Sequence, residues 1–342
     1  MRFEEHKALA PLTTFHLAAF AEHYVRCTTP DQVVEALSEA EHRGLEVFIL
    51  GGGANLVTLP DVSGLVLHVA IDAVSAEDAG ESWRITAGAG TALDSVVERA
   101  ARLGFGMENF SLIPGSVGGA VVQNAGAYGL EIANCLTSCK VWDAAEKRIR
   151  TLDRAACDFS YRSSVFKRPE NIGRLVILEA TFEFPKAAEP NLSYKALADG
   201  WSALEPADRT PSALREIVIG IRSAKLPDPK EVGSAGSFFK NPIVNAAQAR
   251  ALLTTCPSMI TYAVGGDRVK LAAGWLIEAC GLKGAVEGSA AVSDRHALIL
   301  VNRLGVEPAD GRDVERLKNR IQAAVRAKFG VELEPEPIFV GR

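Results

Sequence analysis

An α+β architecture is what this chain of 342 residues predicts, with two small α/β subdomains in the amino-terminal half and a further α/β domain towards the carboxy terminus. Three observations carry that expectation. A capped amphipathic helix runs into a short apolar strand that ends in Gly51-Gly52-Gly53, and the carboxyl end of a strand is where α/β proteins hold ligands. A second glycine-rich run, Glu108 to Glu131, follows another strand and helix and contains almost no charge. Beyond it, Pro185, Pro190, Pro206 and Pro211 punctuate a stretch with few periodic patterns, after which helices and strands resume. The expected segments are 1–70, 71–185, a linker or lid over 186–212, and 213–329.

Taken in order, Thr29 caps the first helix and Pro30 occupies its first position. Val33, Val34, Leu37 and Ala40 form its apolar stripe, and Gly44 ends it. Val47 to Leu50 reads as a buried strand and Leu65 to Val69 as another. Residues 83–87 alternate as a strand, Thr91 is expected to cap a helix through Leu93, Val96, Val97 and Ala100, and Gly104 to stop it. Leu136 to Trp142 and Ile149 to Leu152 read as a strand pair, and Val176 to Phe182 closes the second unit. Ser212 is expected to cap a helix with Leu214, Ile217, Val218 and Ile221 on one face. Lys270 to Cys280 predicts a further helix and His296 to Asn302 a strand. Asp310 caps the closing helix, Gly330 ends it, and the tail is extended.

Composition narrows the classes of function. Asp and Glu number 42 against 37 Lys and Arg, a net charge of -5, which gives no support for a nucleic-acid partner. The amino terminus, MRFEEHKALAPLTTFHLAAF, is broken by charges, so no secretory signal is expected. Nowhere do ~18 apolar residues run together, so no membrane partner is expected either. Six cysteines are scattered, with only Cys135 and Cys139 close and no set at zinc spacing, which predicts reduced thiols, a cytosolic setting and no metal.

The two glycine clusters are the chemical signal. Backbone N–H groups without neighbouring Cβ atoms form concave nests that attract phosphate oxygens. Pro114 fixes one φ angle, Tyr128 offers a flat face, and Gln123 and Asn124 offer amides. Alone, the run from Glu108 also fits a glycine-rich turn in a buried sheet; the second cluster favours one extended dinucleotide held from both sides. Neither GxGxxG nor GxxxxGK[ST] is present, so the usual nicotinamide and P-loop fingerprints are not met. GSAGSFFKNP, residues 233–242, offers Ser237, Lys240 and Asn241 as donors in a loop suited to face a ligand.

Together, LGGGAN, IPGSVGGAVVQNAGAYG, SYRSSVFK, KLPDPK, GSAGSFFKNP, KLAAGWLIE and LEPEPIFVG, in this order over nearly the whole chain, closely resemble the UDP-N-acetylenolpyruvoylglucosamine reductases (UDP-N-acetylmuramate dehydrogenases) of peptidoglycan precursor synthesis. The resemblance implies a PCMH-type FAD-binding half, over about residues 13–185 and joined by the tail 330–342, and a carboxy-terminal substrate domain. Pro190 to Tyr194 looks like the loop of the subtype in which a tyrosine closes over the substrate. By the same resemblance Arg162 contacts the substrate carboxylate, Ser237 donates a proton, and Glu336 is the third catalytic residue. Lys225 and Asn241 match positions near the diphosphate, with Tyr194 and Arg222 as helpers; Tyr161 and His296 also fall at substrate positions. Gly51, Gly52, Gly53, Ala54 and Asn55 match one flavin segment. Ile113, Pro114, Gly115, Ser116, Gly118 and Gly119 match a second, and Gln123, Asn124, Gly126, Ala127 and Tyr128 a third. The implied cofactors are FAD and NADPH, the implied partner a UDP-linked amino sugar bearing an enolpyruvyl ether, and the implied state a cytoplasmic monomer. This chain has Thr13 and Ala54 where the family usually has Asn and Ser, and Pro337-Ile338 where Val-Arg is frequent. Oxidases of sugar acids and alcohols share the flavin-binding fold but not GSAGSFFKNP.

Overall fold

The computed structural model describes residues 1–342. Two compact units emerge, each with its own apolar core. The first comprises Met1–Lys7, Ala21–Gly53 and Ser63–Ala224; the second comprises Ala8–Phe20, Ala54–Val62 and Lys225–Arg342.

In the first unit a five-stranded antiparallel sheet runs in the order Arg148–Asp153, Leu136–Asp143, Leu175–Pro185, Ser82–Gly88, Val74–Asp78. A four-stranded sheet has the order Glu4–Ala8, Phe20–Cys27, Asp61–Val69, Val47–Leu50, its last two strands parallel. The Pro30–Arg43 helix forms as its sequence dictates. Gln32 N–H donates to Thr29 Oγ1 at 3.3 Å, and Gly44 ends the helix at φ +65°, a conformation open to a residue without Cβ. Its buried Val33, Ala36, Leu37 and Ala40 join Leu65, Leu67, Ile85, Val96, Phe110 and Phe182 in one core.

In the second unit, Ser234–Ser237, Ile299–Asn302, Ala290–Val292 and Val286–Glu287 form one sheet, and Ile243–Asn245, Arg268–Leu271 and Thr261–Ala263 another. The long Gly311–Phe329 helix starts on Asp310, whose carboxylate accepts Arg312 N–H at 2.8 Å, and ends at Gly330, φ +63°. It buries Val314, Leu317, Ile321 and Val325 against Phe15, Phe238, Leu276 and Leu300.

Several local expectations give way to tertiary contacts. Thr91 does not cap the Leu93–Ala101 helix; its hydroxyl donates to Asp72 at 3.0 Å, tying two loops. Thr210, not Ser212, caps the Pro211–Lys225 helix, accepting Ala213 N–H at 3.1 Å, because Pro211 suits the first helical position. Lys270 and Leu271 lie in a strand and the helix is shortened to Ala273–Ala279, since edge pairing with Ile243–Asn245 outweighs their helical period. The expected structureless linker holds the Lys195–Ser202 helix, anchored by buried Leu197. The strands Glu4–Ala8 and Phe20–Cys27 lie outside the elements expected from sequence, because the first is exposed along almost its whole length, with Glu4 and Glu5 adjacent, and the second breaks its alternation at the buried pair Tyr24-Val25.

The units also run differently from the expected segments. Most of the Pro211–Lys225 helix belongs to the first unit, because Arg215 grips Asp94 through two hydrogen bonds of 2.7 and 2.9 Å. Residues 8–20 belong to the second, where Thr14 Oγ1 donates to Ser234 O at 2.7 Å and Ala18 N–H to Ala309 O at 2.7 Å. The tail strand Ile338–Val340 pairs in parallel with Leu56–Thr58, and both lie in the second unit.

One buried charge cluster pins the hairpin of the five-stranded sheet. Asp143, fully buried, accepts Arg174 Nε at 3.0 Å, Arg174 Nη2 at 3.1 Å and Arg150 Nη1 at 2.8 Å. Hydrogen bonds from Arg174 and Arg150 hold its carboxyl far below the usual carboxylate range. A depressed carboxyl contributes stability that is present above its unfolded value near pH ~4 and fades as pH falls through the folded one. Asp143→Ala is expected to destabilise by about 2 kcal/mol, less than a fully enclosed pair because both guanidiniums are part-exposed. Urea unfolding at neutral pH and near pH 3 checks this: the gap between parent and variant should narrow in acid.

Candidate active site

The two glycine clusters meet edge to edge in the first unit. Gly52 N–H donates to Ser116 Oγ at 3.1 Å. A Cβ at Gly52 would lie 2.5 Å from Gly115 Cα and 2.6 Å from Ser116 N, and one at Gly51 would lie 2.7 Å from Ser116 Oγ. A side chain is thus excluded at Gly51 and Gly52, where the two loops meet through backbone and the Ser116 hydroxyl. Gly53 and Gly115 take φ of +63° and +104°. Ser116 caps the short Val117–Gln123 helix, a helix that the glycine content of the sequence concealed. Gly52, Pro114 and Gly119 are exposed while Gly53, Ser116, Val117 and Gly118 are buried, so the joined loops present a polar main-chain surface on a packed base. That surface fits the diphosphate and ring edges of a flavin dinucleotide, which need donors and close approach rather than basic side chains.

Arg162 lies on the loop that follows. Its φ of +55° is unusual for a residue with a long side chain, and the backbone pair Ser160–Ser163, 3.0 Å in each direction, holds the turn. Its guanidinium donates to Gly126 O at 2.9 Å and Asn124 O at 3.4 Å, and lies 5.1 Å from the Tyr161 ring centre. Asn124, expected among the flavin contacts, is buried with both ends of its amide committed: Nδ2 donates to Glu131 and Ser160 O, and Oδ1 accepts Ala133 N–H, each at 3.0 Å. Its side chain therefore staples the turn.

Tyr128, at φ +50°, meets the exposed Tyr194 edge to face, ring centres 5.0 Å apart. Arg222 hydrogen-bonds Tyr128 and donates to Leu112 O at 3.3 Å, while its Nε is enclosed without a hydrogen-bond partner. Burial pushes the Tyr128 hydroxyl up and the Arg222 guanidinium down. The upward shift keeps the Tyr128 hydroxyl protonated near pH 7.

In the second unit Ser237 stands exposed at the end of its strand. Ser234 pairs with Val301 but Ser237 with Ile299, and the extra residue is absorbed at Gly236, φ +67°. The next residues pair with the tail. Glu336 N–H donates to Phe238 O at 2.9 Å and Lys240 N–H to Glu334 O at 2.9 Å, so Ser237 and Glu336 flank one ladder. Asn55 locks this tail: its Nδ2 donates to Glu336 O at 3.1 Å and its carbonyl accepts Ile338 N–H at 3.0 Å. The Asn55 amide, expected at the flavin, is spent on positioning the glutamate. Glu334 forms an ion pair with Lys240. Asn241 Oδ1 accepts Ala273 N–H at 2.9 Å and so starts a helix. His296 Nδ1 accepts Leu298 N–H at 3.1 Å, which places the proton of the neutral ring on Nε2; burial, then the charge of Lys225, pushes its pKa down.

Two contributors were not assigned a role from sequence. Lys167 donates to Gln123 Oε1 at 2.7 Å, and Asn109 donates to Tyr128 O at 2.9 Å. Their signal was present in SYRSSVFK and ENFS, but a lone Lys or Asn in such a run reads as solvated. No helix is long and apolar enough to cross a membrane.

Comparison with known proteins gives this geometry its class. Residues 21–152 match the FAD binding domain model, and residues 228–340 match the model for the carboxy-terminal domain of UDP-N-acetylenolpyruvoylglucosamine reductase. With the glycine cradle, these define a flavin-dependent oxidoreductase of the PCMH-type fold. The UDP-N-acetylenolpyruvoylglucosamine reductase of Dechloromonas aromatica is 45% identical over 337 residues, 97% of this chain and 98% of its own. That of Ralstonia nicotianae is 41% identical over 342 residues, 98% and 99% of the two chains. The chain belongs to the UDP-N-acetylenolpyruvoylglucosamine reductase family. The crystal structure of the Thermus caldophilus reductase, 24% identical with all of both chains covered, shares the fold at a TM-score of 0.67.

Proposed function

We propose that the protein reduces UDP-N-acetylenolpyruvoylglucosamine to UDP-N-acetylmuramate with NADPH, in the cytoplasm and as a monomer. Gly51–Gly53 and Gly115–Gly119 would hold FAD, which when bound would supply the hydride relay between nicotinamide and alkene. The protein's part is electrostatic and acid–base. Hydride addition to the terminal alkene carbon drives negative charge onto the adjacent carbon and its carboxylate. Arg162, always charged and able to fork two oxygens, neutralises it. Ser237 then gives its hydroxyl proton to that carbon, a far stronger base than water. Glu336 polarises the hydroxyl. Lys225 and Asn241 hold the diphosphate with Arg222 and Tyr194 as helpers, Tyr161 and His296 make further substrate contacts, and the Tyr194 loop closes over the substrate.

The observation that carries this reading is the ladder that sets an exposed Ser237 beside the Asn55-locked backbone of Glu336. One anaerobic titration tests it. The yellow protein should bleach with NADPH and regain colour on adding the enolpyruvyl nucleotide sugar. Protein that stays oxidised under NADPH while binding the sugar would count for a non-catalytic role. The cradle has its own test: Gly52→Ala forces the loops apart and should yield protein purified with less than about a tenth of the parent's flavin. Full flavin content in that variant would move the cofactor elsewhere.

A further inference from the structure

We propose that Lys167 is a positioning residue which holds Arg162 and Gln123 in one arrangement, joining the carboxylate-binding and flavin-facing sides of the first unit; the proposal rests on the functional reading above. Lys167 Nζ donates to Gln123 Oε1 at 2.7 Å and to the carbonyl of Arg162 at 3.0 Å. An ammonium has donors only, so the Gln123 atom facing it is the oxygen, and the NH2 end of that amide is turned away as a donor. From the other end of the same loop, the Arg162 guanidinium grips the carbonyls of Asn124 and Gly126. The loop thus closes on residues 123–126 through Lys167 and through Arg162, in addition to the Asn124 amide bond to Ser160 O. Arg162 sits at an uncommon φ of +55°, and the Lys167 hydrogen bond to its carbonyl adds to the Ser160–Ser163 backbone pair in fixing that turn. The single turn Val165–Lys167, anchored by buried Phe166, brings the ammonium back to that carbonyl.

K167M in the holoenzyme tests this. Losing the cation removes one hydrogen bond from the Gln123 amide and one from the Arg162 carbonyl, which loosens their shared arrangement. The flavin midpoint potential should move to a more negative value, and reoxidation by the nucleotide sugar should slow about a hundredfold. Uptake of hydride from NADPH should stay within about twofold, and K167R should restore most of the loss. A merely structural lysine would alter thermal stability without moving the potential. If K167M does not fold, Q123L reads the same coupling through the same shift in potential and the same slowed half-reaction. An unchanged potential and sugar half-reaction in K167M, or in Q123L where that variant carries the test, overturns the proposal and leaves the functional reading standing. Failure of the unmodified protein to accept hydride from NADPH overturns both.

Discussion

Ser237→Ala should leave reduction of the flavin by NADPH within about twofold of the parent while slowing reoxidation by the enolpyruvyl sugar ~10²–10⁴-fold. The asymmetry follows from where a proton is needed. In the proposed mechanism hydride uptake from nicotinamide asks nothing of the serine, whereas the carbanion-like carbon left after hydride delivery must be protonated before the product is complete. The variant should also fold normally, because Ser237 is exposed at the end of its strand and its neighbours Phe238 and Phe239, fully or almost fully buried, retain the packing. Stopped-flow absorbance near the flavin band separates the two half-reactions. Equal impairment of both would remove Ser237 as the proton donor.

Arg162→Ala is expected to raise the KM for the sugar and to slow its reduction, together a loss of about 3 kcal/mol or more in kcat/KM. In the proposed reaction a carboxylate that gains charge in the transition state needs a fixed cation, and the Arg162 guanidinium is held by its hydrogen bonds to Gly126 O at 2.9 Å and Asn124 O at 3.4 Å. Arg162→Lys keeps the charge but loses the two-pronged geometry, so it should recover binding better than rate. Normal turnover in Arg162→Ala would take this residue out of the site. The two variants also differ in kind: the serine loss falls on kcat, the arginine loss on both parameters.

What could be read from the residues alone varies with how local the physics is. The Thr29 and Asp310 caps, the Gly44 and Gly330 stops and the apolar stripes of their helices are each decided within a few positions, and the structure forms them as expected. The second glycine cluster was legible as a place of close backbone approach, because glycines away from charge leave little else to do. Its helix was not, since Gly118 and Gly119 lower helix propensity and only packing against Ala89 and the Ser116 cap offset that. The Lys195–Ser202 helix was hidden by flanking prolines, and Lys270 changed element because a neighbouring strand, distant in sequence, competed for its backbone.

Sequence by itself determined the family, the chemistry of the side chains on offer and the places where chain direction turns, since residue identity and spacing settle all of these. Tertiary structure alone decided that Gly52 rests on Ser116, that Asn55 spends its amide on the Glu336 carbonyl and that Lys167 clasps Gln123. Those contacts join groups tens to hundreds of residues apart through main-chain or single-atom partners, and such pairings leave no periodic mark on the side chains between them.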